Sequence, residues 1–363
     1  MNVATYFEAS GTAHAIGCAI GKAFAGQIRE LVRHKRVALQ VDTSAGRQAV
    51  DVAGGMLVSI CHRVAPYLLE EMRGYANGAE VPFDDIVLLN CGDEARNLLN
   101  TGAPMDGCTA VAIGSGRTGN GLLAGQSKDG PPFQAQYLIV LLTRCNNRPA
   151  LLQLCYPGML ALIGLSDTGM TLFTNQIHDH TNHVDGLPVM VFKRLAWECD
   201  LLDQVEALLQ RRGAATAANY TFASADGRAC CFEVRGNEYV RIDMADDLLV
   251  HTNHYLAPHL QGAESTEKIK QQRSHERLAR MQQLIDGAKT KPDIDALLAC
   301  FADRQGDPYG IWARGDDHCT NALVVAEPTL RRVHVSLSPI DAPLTLDLRG
   351  PTPTHPAASE DDP

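Results

Sequence analysis

The sequence predicts an α+β fold in which helical layers sandwich sheets, and three observations lead there. The first hundred residues repeat apolar side chains every three or four positions, the spacing of amphipathic helices. From Cys108 the texture changes to short apolar runs parted by Gly, Pro and Asn turns, which is the signature of strands. Helices and strands then alternate again, with no compositional linker to divide the 363 residues into separate units.

The elements follow in chain order. Ile16, Ile20, Phe24, Ile28 and Leu31 predict a helix from residue 11 to about 40, and Gly17 and Gly21 thin one face of it so that another element can pack closely. Met56, Ile60, Val64, Leu68 and Met72 form the stripe of a second helix from about Asp51 to Tyr75, stopped by Asn77-Gly78. Pro82 opens a third, Phe83 to Asn90, where Asp84 and Asp85 meet the positive end of the helix dipole. Strands are expected at Cys108 to Ile113, Leu122 to Ser127, Gln136 to Arg144, Ala150 to Cys155, Leu160 to Leu165 and Met170 to Asn175. Tyr137-Leu-Ile-Val-Leu-Leu142 is apolar on both faces, so it is expected to be covered on both sides. Val189 to Glu198 and Leu201 to Arg212 read as helices, and Tyr220 to Ser224, Ala229 to Val234, Glu238 to Asp243 and Leu248 to His251 as strands. A charged amphipathic helix, Ser265 to Ala288, and a shorter one, Ile294 to Phe301, precede three strands between Ala322 and Leu348. The tail from Pro351 to Pro363 is rich in Pro and acid and predicts disorder.

Composition narrows the function. A net charge of -10 and a pI near 5.7 argue against a nucleic-acid surface, which would need a basic patch, and favour small polar or amphipathic substrates. No run approaches the roughly 18 apolar residues of a membrane span, and no basic region followed by an apolar core marks a signal peptide in MNVATYFEASGTAHAIG. The 11 cysteines are odd in number, irregularly spaced and include the adjacent pair Cys230-Cys231. That pattern is no disulfide framework; it predicts a cytoplasmic protein whose cysteines are mostly small buried hydrophobes.

The chemistry centres on Asp106-Gly107-Cys108-Thr109. Cysteine is the most nucleophilic side chain but normally borrows a base from a neighbouring histidine. If the chain is cut before Cys108, the freed α-amine, with an ordinary pKa near ~8, can be that base. Gly107, lacking a Cβ, suits the strained backbone a self-cleaving bond would need. Read alone, Gly-Cys-Thr equally fits a buried structural cysteine at the start of a strand. His178, His180 and His183, with Asp179 and Asp185, have a spacing able to ligate zinc, though the segment is also polar and turn-like. His251 and His254 read as packing and hydrogen-bonding groups at a strand end.

The chain resembles the acyl-coenzyme A:6-aminopenicillanate acyltransferase family, the C45 group of N-terminal-nucleophile hydrolases. The residues that carry the resemblance are Ala15-Ile-Gly-Cys-Ala-Ile-Gly21, Glu70-Glu-Met-Arg-Gly-Tyr-Ala-Asn-Gly-Ala-Glu80, Ile86-Val-Leu-Leu-Asn90, Asp106-Gly-Cys-Thr109, Gly125-Gln126 with Asp129, Gly186-Leu-Pro188, His251-Thr-Asn-His254, and Gly310-Ile-Trp312 with Arg314. A lone DGCT is a weak signal, whereas these matches in order form a specific one.

The resemblance implies an αββα four-layer sandwich over residues 1 to 350, made as a precursor that cuts itself between Gly107 and Cys108. The α-chain (1 to 107) and the β-chain (108 to 350, then the tail) would stay associated. It further implies that Cys108 attacks an amide or thioester carbonyl, and that Asn253 and the Cys108 N–H form the oxyanion hole. Asp129 would orient the amine and meet a polar group of the substrate, and Arg314 would face Asp129 and hold a carboxylate. The implied substrate is a small N-acyl amine, amino-acid amide or acyl-thioester, with no cofactor, metal, nucleic acid or membrane partner and with a homo-oligomer left open. Apart from the resemblance, Asp129-Gly130-Pro131-Pro132 is a good turn sequence, Asn253 a strand-end asparagine and Arg314 a surface arginine beside Asp316 and Asp317. Where the family commonly has Gln-Asn-Trp-Asp, this chain has Gln126-Ser127-Lys128-Asp129, which alters the pocket and puts a charge either near the chemistry or into solvent. Two other readings stand beside this one: a metal-dependent hydrolase using the His178, His180 and His183 segment, and a non-catalytic binding member of the same fold.

Overall fold

A computed structural model describes residues 5–100, 107–179, 181, 183–338 and 341–349. Asp106, His180 and the tail expected to be disordered lie outside them.

The first third is helical, as its periodicity requires, but its divisions are finer than the sequence suggests. β1 (Thr5–Gly11) precedes α1 (Ala13–Ala23) and α2 (Ala25–Ala38). β1 escapes sequence reading because it is a half-exposed edge strand with no alternation, paired parallel to β4 (Ile139–Cys145). The predicted second helix is two, α3 (Ser44–Val64) and α4 (Pro66–Ala79), because Pro66 has no N–H to continue the ladder and instead starts a new helix. α5 (Phe83–Asn90) matches its predicted bounds, and α6 (Gly92–Leu99) follows.

Beyond Cys108 lie β2 (Ala110–Ile113), the short α7 (Ser115–Thr118), β3 (Leu123–Gly130), then β4, β5 (Leu151–Cys155), β6 (Ile163–Ser166) and β7 (Thr171–Gln176). α8 (Val189–Trp197) and α9 (Leu202–Arg212) lead to β8 (Ala218–Ala223), β9 (Ala229–Arg235), β10 (Glu238–Asp243) and β11 (Leu248–His251). α10 (Lys268–Asp286), α11 (Ile294–Phe301), β12 (Cys319–Glu327), β13 (Arg332–Ser336) and β14 (Leu344–Asp347) complete the described fold.

The strands form two sheets. One has eight strands in the order β1-β4-β5-β6-β7-β8-β9-β10, and the other six in the order β11-β2-β3-β12-β13-β14. Strand alternation in the smaller sheet shows the layering. Ala110, Ala112, Ala124, Ala322, Val324 and Ala326 share one buried core with the eight-stranded sheet, while Val111, Ile113, Leu123, Leu323 and Val325 turn the other way onto Met281, Ile285, Leu297 and Phe301 of α10 and α11. On the far face of the larger sheet, α1 packs on β1 and β4, and α8 on β7. The order is helix, sheet, sheet, helix: an αββα sandwich.

Small alanines between the sheets bring them close, and glycines do the same between helices. A Cβ on Gly17 would stand 2.1 Å from the Glu71 carbonyl oxygen, and one on Gly74 2.3 Å from that of His14, so α1 and α4 touch backbone to backbone. All 11 cysteines are free, and burial pushes the thiols of Cys61 and Cys91 up to about 12. Among the described residues no helix is long and apolar enough to cross a membrane.

Candidate active site

The Gly107–Cys108 peptide sits where β2 begins, with each of its polar groups held. The Gly107 N–H donates to His318 Nε2 at 3.0 Å. The Gly107 carbonyl accepts the Asp129 N–H at 3.2 Å. The Cys108 N–H donates to Asn253 Oδ1 at 2.9 Å, and its carbonyl accepts from Asn175 Nδ2 at 3.1 Å. Cys108 itself is 4% exposed. Gly107 does not adopt the left-handed φ reserved for glycine, so strain is not what selects it. Space selects it: a Cβ there would lie 2.8 Å from His318 Nε2 and 3.1 Å from Asp129 Oδ2.

That second distance also shows that the Asp129 carboxyl faces the Gly107–Cys108 peptide. Asp129 is a strand residue of β3, not part of a turn, and is wholly buried. β12 bulges opposite it, between Thr320 and Ala322, as strands often do beside active sites. Burial pushes the Asp129 carboxyl up to about 6, against the opposing charges of Arg277 and Lys128 and the nearby hydroxyls of Thr320 and Ser127. Neither hydroxyl reaches full hydrogen-bond geometry, so both carboxylate oxygens lack a partner among the described residues. Lys128 turns inward, not into solvent, and its Nζ donates to the Asp129 carbonyl at 2.7 Å.

Asn253 stands just past β11. Its N–H donates to Ser274 Oγ at 2.8 Å, which ties the loop to α10, and its Nδ2 donates one hydrogen to the Gln176 carbonyl at 3.0 Å. Its Oδ1 also accepts from Arg277 Nη2 at 2.7 Å. His251 lies 2.7 Å from Glu233, with both side chains wholly buried. Burial, with His275, His251 and Arg277 nearby, drives His254 down to about 3 and keeps it neutral. These histidines serve as packing and hydrogen-bonding groups.

Arg314 differs from its expected place. Its guanidinium forks onto Asp307, with Nε 3.1 Å from Oδ1, stacks 5.4 Å from the Trp312 ring and is about a third exposed. The guanidinium that faces Asp129 is that of the buried Arg277. Ser274, Arg277, Met281 and Ile285 are the buried residues of α10, one stripe spaced by three and four. The signal was present in the sequence: a charge standing on the apolar stripe of an otherwise solvated helix. Asn175, within an ordinary strand, carried no such mark.

Asp179 of the histidine segment is taken by Arg235 at 2.6 Å and by the Thr181 N–H at 2.8 Å. Among the described residues no group of three His, Cys, Asp or Glu side chains is placed to hold a metal.

Two packed sheets between helical layers, with a cysteine opening an inner strand, define a sandwich of the N-terminal-nucleophile hydrolase type. The chain belongs to the acyl-coenzyme A:6-aminopenicillanic acid acyl-transferase family, whose model matches residues 116–338, a span that contains Asp129 and Asn253 and begins after Cys108. It is 27% identical over 318 residues to the acyl-coenzyme A:6-aminopenicillanic-acid-acyltransferase 40 kDa form of Emericella nidulans, covering 83% of this chain and 85% of that one. Among solved structures, a variant of conjugated bile acid hydrolase from Clostridium perfringens aligns with a TM-score of 0.47 and 12% identity, covering 67% of this chain and 93% of that one. Penicillin V acylase from Agrobacterium tumefaciens aligns with a TM-score of 0.40 and 8% identity, covering 67% and 86%. Likenesses this loose do not bear on activity.

Proposed function

We propose that the protein is a self-processing cysteine amidohydrolase or acyltransferase acting on a small N-acylated amine or amino acid. The observation that carries this reading is the convergence of Asp129, Asn253, Asn175 and His318 on the polar groups of one peptide bond and its flanks.

In processing, Cys108 Sγ adds to the Gly107 carbonyl carbon and the oxygen becomes an oxyanion. The Asp129 N–H, already donating to that oxygen, is where such charge is stabilised. Collapse breaks the C–N bond: the nitrogen leaves protonated as the Cys108 amine, and Gly107 is left as a thioester. Water then hydrolyses the thioester, freeing the Gly107 carboxyl and the thiol.

In turnover the freed amine takes the Cys108 thiol proton as the sulfur attacks a substrate carbonyl, and returns it to the departing amine. The second hydrogen of Asn253 Nδ2, left over after Gln176, supplies the oxyanion donor, and Asn253 Oδ1 holds the amine. Asp129, facing the same place, orients that amine once it is charged. Water or an acceptor amine resolves the acyl-enzyme.

Intact-mass measurement tests the first half. Wild type should give two chains, ending at Gly107 and starting at Cys108, and Cys108→Ala a single uncut one. Product masses from N-acyl amino acids, aminoacyl amides and acyl-thioesters test the second and separate hydrolysis from transfer. Uncut wild type, or full activity in Cys108→Ala, would end the proposal.

A further inference from the structure

Glu233 of β9 is wholly buried, and its carboxylate reaches from the larger sheet to the smaller. Its Oε1 lies 2.7 Å from His251 Nε2 at the end of β11 and accepts the Leu256 N–H at 2.5 Å, and its Oε2 accepts the Ala257 N–H at 2.9 Å. One carboxylate thus grips residues 251–257 at both ends, and Asn253 lies between the grips. A buried carboxylate is costly even when it is satisfied, so packing alone is a poor account of it.

The path from Glu233 to Asn253 is short. On its other side the His251 ring meets the Thr252 carbonyl, Nδ1 to oxygen, at 2.7 Å. Both partners of the ring are acceptors, so a hydrogen lies on each side of it. The Thr252 carbonyl and the Asn253 N–H belong to one planar peptide unit, and that N–H donates to Ser274 Oγ at 2.8 Å. Held at both of its polar groups, the plane sets the direction in which the Asn253 side chain leaves the backbone. It thereby sets where Oδ1 stands against the Cys108 N–H and where Nδ2 points. Without the Glu233 grip, the carbonyl edge of the plane loses its anchor.

Resting on the reading of Asn253 as the oxyanion donor of turnover, we propose that Glu233, through His251 and the Thr252 carbonyl, is a positioning residue for the Asn253 amide.

Glu233→Gln keeps the shape but not the pattern, because a carboxamide has one acceptor oxygen and its NH2 must face a backbone N–H. Cutting, whose oxyanion sits on the Asp129 N–H, should persist. In the cut enzyme kcat should fall about 10- to 100-fold, part of what an oxyanion donor is worth, with KM little changed. In an Asn253→Asp background the same substitution should take nothing further from kcat, since effects that act through one group do not add. A second readout needs no turnover. In uncut Cys108→Ala, the backbone N–H at position 108, held by Asn253 Oδ1, should exchange with deuterium about 2- to 10-fold faster once Glu233→Gln is added, the worth of one hydrogen bond. His251→Leu, which removes the link from the middle, should reproduce both effects and decides the matter if Glu233→Gln does not fold. Glu71→Gln breaks another buried pair, with Arg194 at 2.8 Å, and should lower the melting temperature while leaving kcat and exchange at position 108 alone. Unchanged exchange at position 108, or a full further loss of kcat in the Asn253→Asp background, overturns the positioning role. A wild type without turnover, in which exchange still responds to Glu233→Gln, would sink the acyl-enzyme reading and leave the positioning of Asn253 standing.

Discussion

Asn253 Oδ1 accepts two hydrogen bonds at once, from the Cys108 N–H at 2.9 Å and from Arg277 Nη2 at 2.7 Å. One oxygen thus joins the Cys108 nitrogen to a buried guanidinium that also faces Asp129. The shared contact fixes which way the asparagine amide points, because a flipped amide would set its NH2 against two donors. Nδ2 is left toward Gln176, with one hydrogen to spare.

Arg277 should therefore matter more than Arg314. Arg277→Gln removes the larger of the two countercharges, Arg277 and Lys128, that face the buried Asp129 carboxyl and loosens Asn253, and loss of a buried charge partner costs about 3–5 kcal/mol. Processing and kcat should both fall, by about 100-fold or more. Arg314→Gln breaks a half-exposed pair with Asp307, worth about 0–1 kcal/mol, and should leave processing intact. Rates from intact-mass time courses of both variants check this, and equal losses would refute it.

Asp129 sets a pH dependence whose sign is fixed. Its carboxyl is raised from 3.8 to about 6, so the folded chain holds that proton more tightly than the unfolded one. Its stabilising contribution is complete below 3.8 and is lost as pH rises through about 6. Measured on uncut Cys108→Ala, unfolding free energy should decline across that window by up to about 3 kcal/mol from this group. Adding Asp129→Asn should flatten the decline in urea titrations at several pH values. A slope unchanged by the second substitution would contradict the assignment.

These features were unequally legible in the sequence. Cys108, Asp129 and Asn253 stand out through motifs, and the helical and strand periodicities place α5, β10, β11 and α11 at their observed bounds. Gly17 and Gly21 announce a close crossing, and α4 supplies Gly74 and Gly78 to complete it. Arg277 and Asn175 were missed because polarity within an element is ordinary on a surface. Only the third dimension shows that these two face inward. Arg314 was misplaced for the complementary reason, since a local partner, Asp307, seven residues earlier takes its fork.

The helix crossing makes its own prediction. A methyl at position 74 would meet the His14 carbonyl at 2.3 Å and the Cys18 nitrogen at 2.8 Å, both backbone atoms that cannot rotate away. Gly74→Ala should force α1 and α4 apart and destabilise by about 1–3 kcal/mol, the usual range for overpacking. Gly55→Ala, on α3 with nothing within 4 Å, should be neutral or slightly stabilising, since alanine favours helix. Thermal melts of the pair provide an internal control, and similar melting temperatures for both would be inconsistent with the crossing.

Asn253→Asp separates the two reactions assigned to Cys108. The aspartate keeps an oxygen where Oδ1 accepts from Cys108 and Arg277, so the precursor should still be held in place. Processing places its oxyanion on the Gly107 oxygen, whose donor is the Asp129 N–H, so cutting should continue. Turnover needs the Nδ2 hydrogen that the substitution removes, and an oxygen there also faces the Gln176 carbonyl. Losing one oxyanion donor costs roughly 10²–10³ in kcat. The expected product is a protein cut at Gly107–Cys108 yet nearly inactive on substrates that wild type consumes. Loss of cutting and turnover together would assign the processing oxyanion to Asn253 instead of Asp129.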